Sequence, residues 1–104
     1  MAREIYYLQG VYGDKLDKSI YRVVFPVVVR VFKEFYEPFV RITSTYESSA
    51  HGAGSYHYSH KAVDIGEPMN KPIIEELVAK IKEELGKDYY VLWHNNHIHI
   101  HYRR

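Results

Sequence analysis

The sequence predicts an α+β domain, a small and mainly antiparallel sheet packed against two helices. Three observations carry this expectation. Apolar residues fall at helical spacing in two stretches, Asp17 to Glu37 and Lys71 to Leu85. Short runs between and after them alternate apolar and polar residues, as half-buried strands do. The last two runs are separated by an asparagine pair of the kind that closes a hairpin.

The elements follow in order. "EIYYLQGVYGD" reads as a short extended entry ending in a turn at Gly13-Asp14. In the first helical stretch the apolar positions are Ile20, Val24, Val27, Val28, Val31 and Phe35. Pro26 and the valine run oppose a helix there. A mostly buried helix kinked near Pro26 is the favoured reading, with a strand pair, "YRVVF" then "VVVRVF", as the alternative. "PFVRITSTY" alternates and reads as a strand, and "KAVDI" as a second short one. Asn70 is placed to cap the second helix, with Pro72 in its first turn. Its stripe is Ile74, Leu77, Val78, Ile81 and Leu85, with Glu76–Lys80 as a supporting pair and Gly86 as the stop. "YYVLW", the turn "HNN" and "HIHIHY" complete the chain as a hairpin.

Composition excludes several classes of function. The chain has 104 residues, enough for one domain and one modest core, and we read 1–104 as a single domain. Its formal charge is +1, from 14 basic and 13 acidic residues. That is too even to favour nucleic acid or a membrane surface as partner. Cysteine is absent, which removes disulfides, thiolate zinc sites and thiol catalysis. No apolar run approaches the ~20 residues that span a bilayer. "MAREIYYLQG" lacks the apolar core and cleavage site of a signal peptide, so synthesis in the cytoplasm is the expectation. Action outside the cell would then need release or carriage, for example on a virion. Gln9 is the single glutamine, and charges interleave densely, a pattern also seen in thermophile proteins.

The chemistry-bearing residues lie in two clusters. "ESSAHGAGSYHYSHKAVDI", Glu47 to Ile65, holds three histidines and an aspartate in a stretch rich in glycine and serine. "HNNHIHIHY" ends the chain. On a strand, His97, His99 and His101 share one face and Ile98 and Ile100 the other. Neighbours two apart are separated by roughly 6.5–7 Å along the strand, too far for all three histidines to share one metal comfortably. That spacing suits one ligand flanked by a histidine within reach of a metal's water. A solvated polar face is the simple alternative. His57 and Asp64, seven residues apart, can meet through a turn. With one histidine of the last strand they would make a His₂Asp zinc site with an open position.

The two clusters resemble the LAS metallopeptidases, which include lysostaphin-type enzymes, D-Ala-D-Ala peptidases and the hedgehog signalling domain. "SYHYSHKAVDI" resembles their S-x-H-x-x-G-x-A-x-D motif, and "NHIHIHY" their H-x-H strand, met in phage-encoded members as D-H-I-H-V-E-Y. "ITSTY" resembles the strand leading into the site in the D-Ala-D-Ala branch. The likeness covers roughly Phe39 to the C-terminus, in matching order and spacing.

The resemblance implies a zinc site on the sheet face. It makes His57, Asp64 and His99 the Zn²⁺ ligands, and His97 the catalytic residue beside the metal's water. Ser55 would lie close behind the ligands, and His51 would line the site. The implied activity is zinc-dependent hydrolysis of an amide bond, with a short peptide or peptidoglycan fragment containing D-residues as substrate. Three positions depart from the pattern. His60 replaces the motif glycine and is a competing candidate for the metal. Glu47 stands where the D-Ala-D-Ala enzymes often carry an arginine. His101 replaces glutamate, so a register slipped by two would make His99 the helper and His101 the ligand. Two other readings are carried: a zinc domain that binds a partner without catalysis, and an HUH-type single-strand nuclease. The near-neutral charge opposes the nuclease, which would also leave His57 and Asp64 without a role.

Overall fold

The structure, a computed structural model, describes residues 5–46, 59–70 and 73–104. The valine-rich stretch folds as a helix, not as a strand pair. Asp17 starts it: Oδ2 accepts the Ser19 backbone N–H at 2.9 Å, and the Asp17 carbonyl accepts the Ile20 N–H. A side-chain acceptor here satisfies one of the N–H groups that a helix leaves unpaired at its start. A π-helical segment, Ile20–Val24, leads directly into α1, Phe25–Glu34. The Phe25 N–H reaches back to the Ile20 carbonyl, five residues away. Pro26 has no N–H to give, and in a regular α-helix its ring meets the carbonyl four residues back. The irregularity expected at Pro26 is therefore a widened turn immediately before it.

Five strands form one sheet in the order β1-β2-β3-β5-β4. They are β1 Ile5–Tyr7, β2 Val40–Ser44, β3 Ala62–Gly66, β4 Tyr89–His94 and β5 His97–Tyr102. β1 runs parallel to β2, and every other pairing is antiparallel. The expected α+β class, mainly antiparallel with two helices, is the observed one. The β4–β5 hairpin closes through Asn95 and Asn96, with Asn95 at φ 56°. Asparagine tolerates that left-handed conformation better than most residues.

Alternation decides which side of the sheet is core. Val63 and Ile65 of β3, Val91 of β4, and Ile98 and Ile100 of β5 point to one side and are buried. α1 and the second helix, α2 at Ile74–Leu85, cover that side with Val28, Val31, Phe32, Leu77 and Ile81. Each fully buried side chain of this size contributes about 1.5–3 kcal/mol. The opposite side carries Asp64 and the β5 histidines, all part-exposed. Among the described residues no helix is long and apolar enough to cross a membrane.

The start of α2 differs from the sequence expectation. Its first helical residue is Ile74, and no side chain caps it. Lys71 and Pro72 lie outside the described residues. Asn70 is occupied elsewhere: its Nδ2 donates to the Tyr36 carbonyl at 2.7 Å, and its backbone N–H donates to Glu37. Glu37, only 3 % exposed, takes the Met69 and Asn70 N–H groups on its two oxygens at 2.6 and 2.7 Å. That carboxylate ties the end of α1 to the approach to α2, so Asn70 serves the connection and not the helix. Gly86 ends α2 at φ 82°, as expected. Lys80 pairs with Glu84 at 3.6 Å instead of with Glu76, and Arg30 of α1 also bonds to Glu84.

Candidate metal and catalytic site

Strand register brings the second cluster to one residue of the first. β3 and β5 pair so that Asp64 lies opposite His99, Ala62 opposite His101 and Gly66 opposite His97. Asp64 and the three histidines therefore share one face, as the alternation of β5 requires. His99 Nδ1 is 2.9 Å from Asp64 Oδ1. His97 Nε2 is 3.8 Å from Asp64 Oδ2, too long for a hydrogen bond. Their side chains are 14 % exposed for Asp64, 20 % for His99 and 25 % for His97. The group is sheltered without being sealed.

His101 joins the group through its ring. His99 Nε2 is 2.8 Å from His101 Nδ1. Backbone spacing along β5 set the two histidines apart, but the side chains lean together across it. Chemistry assigns the protons. An ionised Asp64 carboxylate only accepts, so His99 carries its proton on Nδ1. His99 Nε2 then accepts, and His101 Nδ1–H donates to it. The chain of donation runs from His101 through His99 to Asp64.

β4 supplies residues that the motif comparison passed over. A two-residue turn fixes the partners: Tyr90 opposite His101, Leu92 opposite His99, and His94 opposite His97. The Tyr90 ring stacks on His101 at 4.9 Å and meets His99 edge-on at 6.2 Å. The Arg103 guanidinium lies over the Tyr90 ring at 5.5 Å. The sequence reading placed His94 in the turn; it is instead the last residue of β4, so the turn is two residues long and that length sets every pair. On the β2 side, Thr43 Oγ1 donates to the Asp64 carbonyl at 3.3 Å. Arg41 donates to the Glu67 carbonyl at 2.6 Å. A methyl at Gly66 would lie 2.9 Å from Arg41 and 3.1 Å from Thr43, so both line the same face.

His60 has a different role from the competing ligand that the sequence allowed. Its backbone is left-handed, φ 66°. That is the conformation glycine adopts most freely, and the matching motif position is glycine. His60 Nδ1 donates to the Lys15 carbonyl at 2.8 Å, and the ring stacks on Tyr46 at 4.5 Å with 4° between planes. The Tyr46 hydroxyl in turn donates to Asp14 Oδ1 at 2.6 Å. That bond holds the Asp14 carboxyl below the usual carboxylate range. Burial, and then the bond to Asp14, push the Tyr46 hydroxyl up. His60 thus anchors the entry to β3 on the loop before the first helix.

Glu47, His51, Ser55 and His57 all fall within 47–58, outside the described residues. Among the described residues no three His, Asp or Glu side chains are grouped to hold a metal ion. Asp64 and His99 are two of the three expected ligands, and they face each other. The donor types, one carboxylate and one imidazole, are ones that zinc takes; their 2.9 Å hydrogen bond would open to the roughly 3.3 Å between two ligands of a tetrahedral ion with bonds of 2.0–2.1 Å. No protein-family model, curated protein or solved structure matches the chain.

Proposed function

We propose that the chain is a zinc-dependent peptidase that hydrolyses amide bonds in short peptides of the peptidoglycan type containing D-residues. The observation that carries the proposal is the cross-strand pair of Asp64 and His99, ligand-type atoms facing each other at 2.9 Å with His97 beside them. His57, Asp64 and His99 would hold the ion. The group supplies Lewis acidity, which makes water a usable nucleophile near neutral pH. With the ion on Nδ1, the His99 proton would move to Nε2 and be donated to His101 Nδ1, the reverse of the metal-free arrangement. His101 would then fix that ring's orientation, as outer partners of ligating histidines do. His97 would hold or deliver the proton that the leaving amine needs. The unslipped register fits this set better, because Asp64 lies opposite His99 and not opposite His101. The left-handed backbone of His60 also supports it, since the replacement of glycine leaves the turn in a glycine-type conformation. The choice of a D-residue substrate, like synthesis in the cytoplasm, rests on the sequence reading alone.

Metal content and peptide hydrolysis test the proposal together. Wild type should carry about one zinc, and Asp64→Ala and His99→Ala should lose it. His97→Ala should keep zinc and lose on the order of 10²-fold or more in hydrolysis, as expected for a positioned acid or base. Muropeptides and D-Ala-D-Ala peptides, analysed by mass spectrometry, are the substrates. Full zinc in both ligand variants would sink the site. A zinc-loaded wild type that cuts none of these peptides would leave a binding domain, and cleavage of single-stranded DNA would point to the nuclease.

A further inference from the structure

His94 is a histidine that the proposed peptidase chemistry does not use. It is exposed, at the last position of β4, and it lies directly opposite His97 across the two-residue turn. The two rings have centroids 5.8 Å apart at 77°. Two imidazoles bound to one ion at 2.0–2.1 Å have centroids roughly 4.5–5 Å apart. His94 is exposed, so rotation of its ring is the movement that would close that gap. The turn itself holds the two strand ends in register, so the pair is largely preorganised.

A carboxylate oxygen lies near the same place. Asp64 Oδ2 lies 3.8 Å from His97 Nε2, on the side away from the oxygen that faces His99. We propose that His94 and His97 form a second, two-histidine site for a borderline divalent cation, Cu²⁺, Ni²⁺ or Zn²⁺, with the outer oxygen of Asp64 beside it. Imidazole donors select these ions over Mg²⁺ or Ca²⁺, and Cu²⁺ binds most tightly in the usual order. Water completes the coordination, which makes the site weaker than a three-ligand one.

The site has a consequence that rests on the proposed function. His97 cannot both bind this second ion and handle the proton of the leaving amine. Excess metal should therefore inhibit hydrolysis through His97 while the first ion stays in place.

Trp93, the single tryptophan, is the chain neighbour of His94 and a built-in reporter. Cu²⁺ is titrated into the intact chain while Trp93 fluorescence is followed, and Zn²⁺ binding is measured by calorimetry. Wild type should show Cu²⁺ quenching of Trp93 and a zinc event weaker than the first. His94→Gln should weaken both by about tenfold or more, since even loss of an outer partner costs 10–100-fold in metal affinity. His99→Ala should keep them while losing the tight zinc. Unchanged quenching and an unchanged weak event in His94→Gln would overturn the second site. Retention of the tight zinc in His99→Ala would instead count against the first site and leave the His94 result readable by itself. Circular dichroism confirms that each variant is folded; His94 is exposed, so its replacement should not disturb the core.

Discussion

Ile98 and Ile100 on one side of β5, and His97, His99 and His101 on the other, are separated by no more than the thickness of a strand. The isoleucines are fully buried beneath the helices. The histidines are part-exposed, and His99 is bonded to both Asp64 and His101. The first set works by exclusion of water, which depends on volume and hardly on direction. The second works by directed contacts, which depend on which strand lies alongside and in what register. One strand can therefore be rigid on one side and chemically specific on the other. The packed isoleucines hold the backbone from which the histidines project, so the precision of the site depends on the core behind it.

The comparison breaks first at Ile100. Ile100→Ala removes three carbons from a fully buried position and should destabilise by about 3 kcal/mol. His97→Ala, on the opposite face, should cost less than about 1 kcal/mol while sharply lowering the proposed hydrolysis. Urea unfolding of both variants measures the contrast. Equal losses of stability would mean that the histidine face is packed as tightly as the core.

His60 sharpens the comparison at the edge of the histidine side. Its left-handed backbone costs roughly 1–2 kcal/mol for a residue other than glycine. Its bond to Lys15 returns about 1 kcal/mol. His60→Gly should therefore change stability by less than about 1 kcal/mol, with relief and loss nearly offsetting. His60→Ala keeps the strain and loses the contacts, so it should be the less stable of the two. The reverse order in thermal unfolding would contradict this account of the turn.

The smallest expected effect is a pH dependence at Tyr46. The Tyr46 hydroxyl lowers the folded-state pKa of Asp14. The resulting stability is present above the unfolded carboxylate value, near 3.9, and is lost as pH falls through the lower folded value. Tyr46→Phe should be less stable than wild type at pH 7, and part of that gap should close below about pH 4. A gap that widens on acidification would reverse the sign and rule out this pairing.

Much of the fold was legible because it depends on residues close in sequence. The alternation of "HIHIHY" places isoleucines inward and histidines together by backbone geometry alone. The asparagine pair marks where the β4–β5 hairpin turns, and Gly86 ends α2. The start of α2 was misread because Asn70 has a better partner in Tyr36, on a segment 34 residues away. Glu37 was not singled out, since only the fold buries it against two N–H groups from the β3–α2 connection.

The sequence by itself determined that three histidines share a face, that the chain carries a core of about this size, and that His57 and Asp64, residues of ligand type, lie seven apart. Only the tertiary structure decided that Asp64 faces His99, that His101 closes onto His99, that His94 meets His97, and that His60 bonds to Lys15 and stacks on Tyr46. The physical reason is the reach of the forces. Periodicity is written into a few successive residues by backbone geometry. The register of β3 on β5, 35 residues apart at Asp64 and His99, is fixed by burying Val63, Ile65, Ile98 and Ile100 together under helices from elsewhere in the chain.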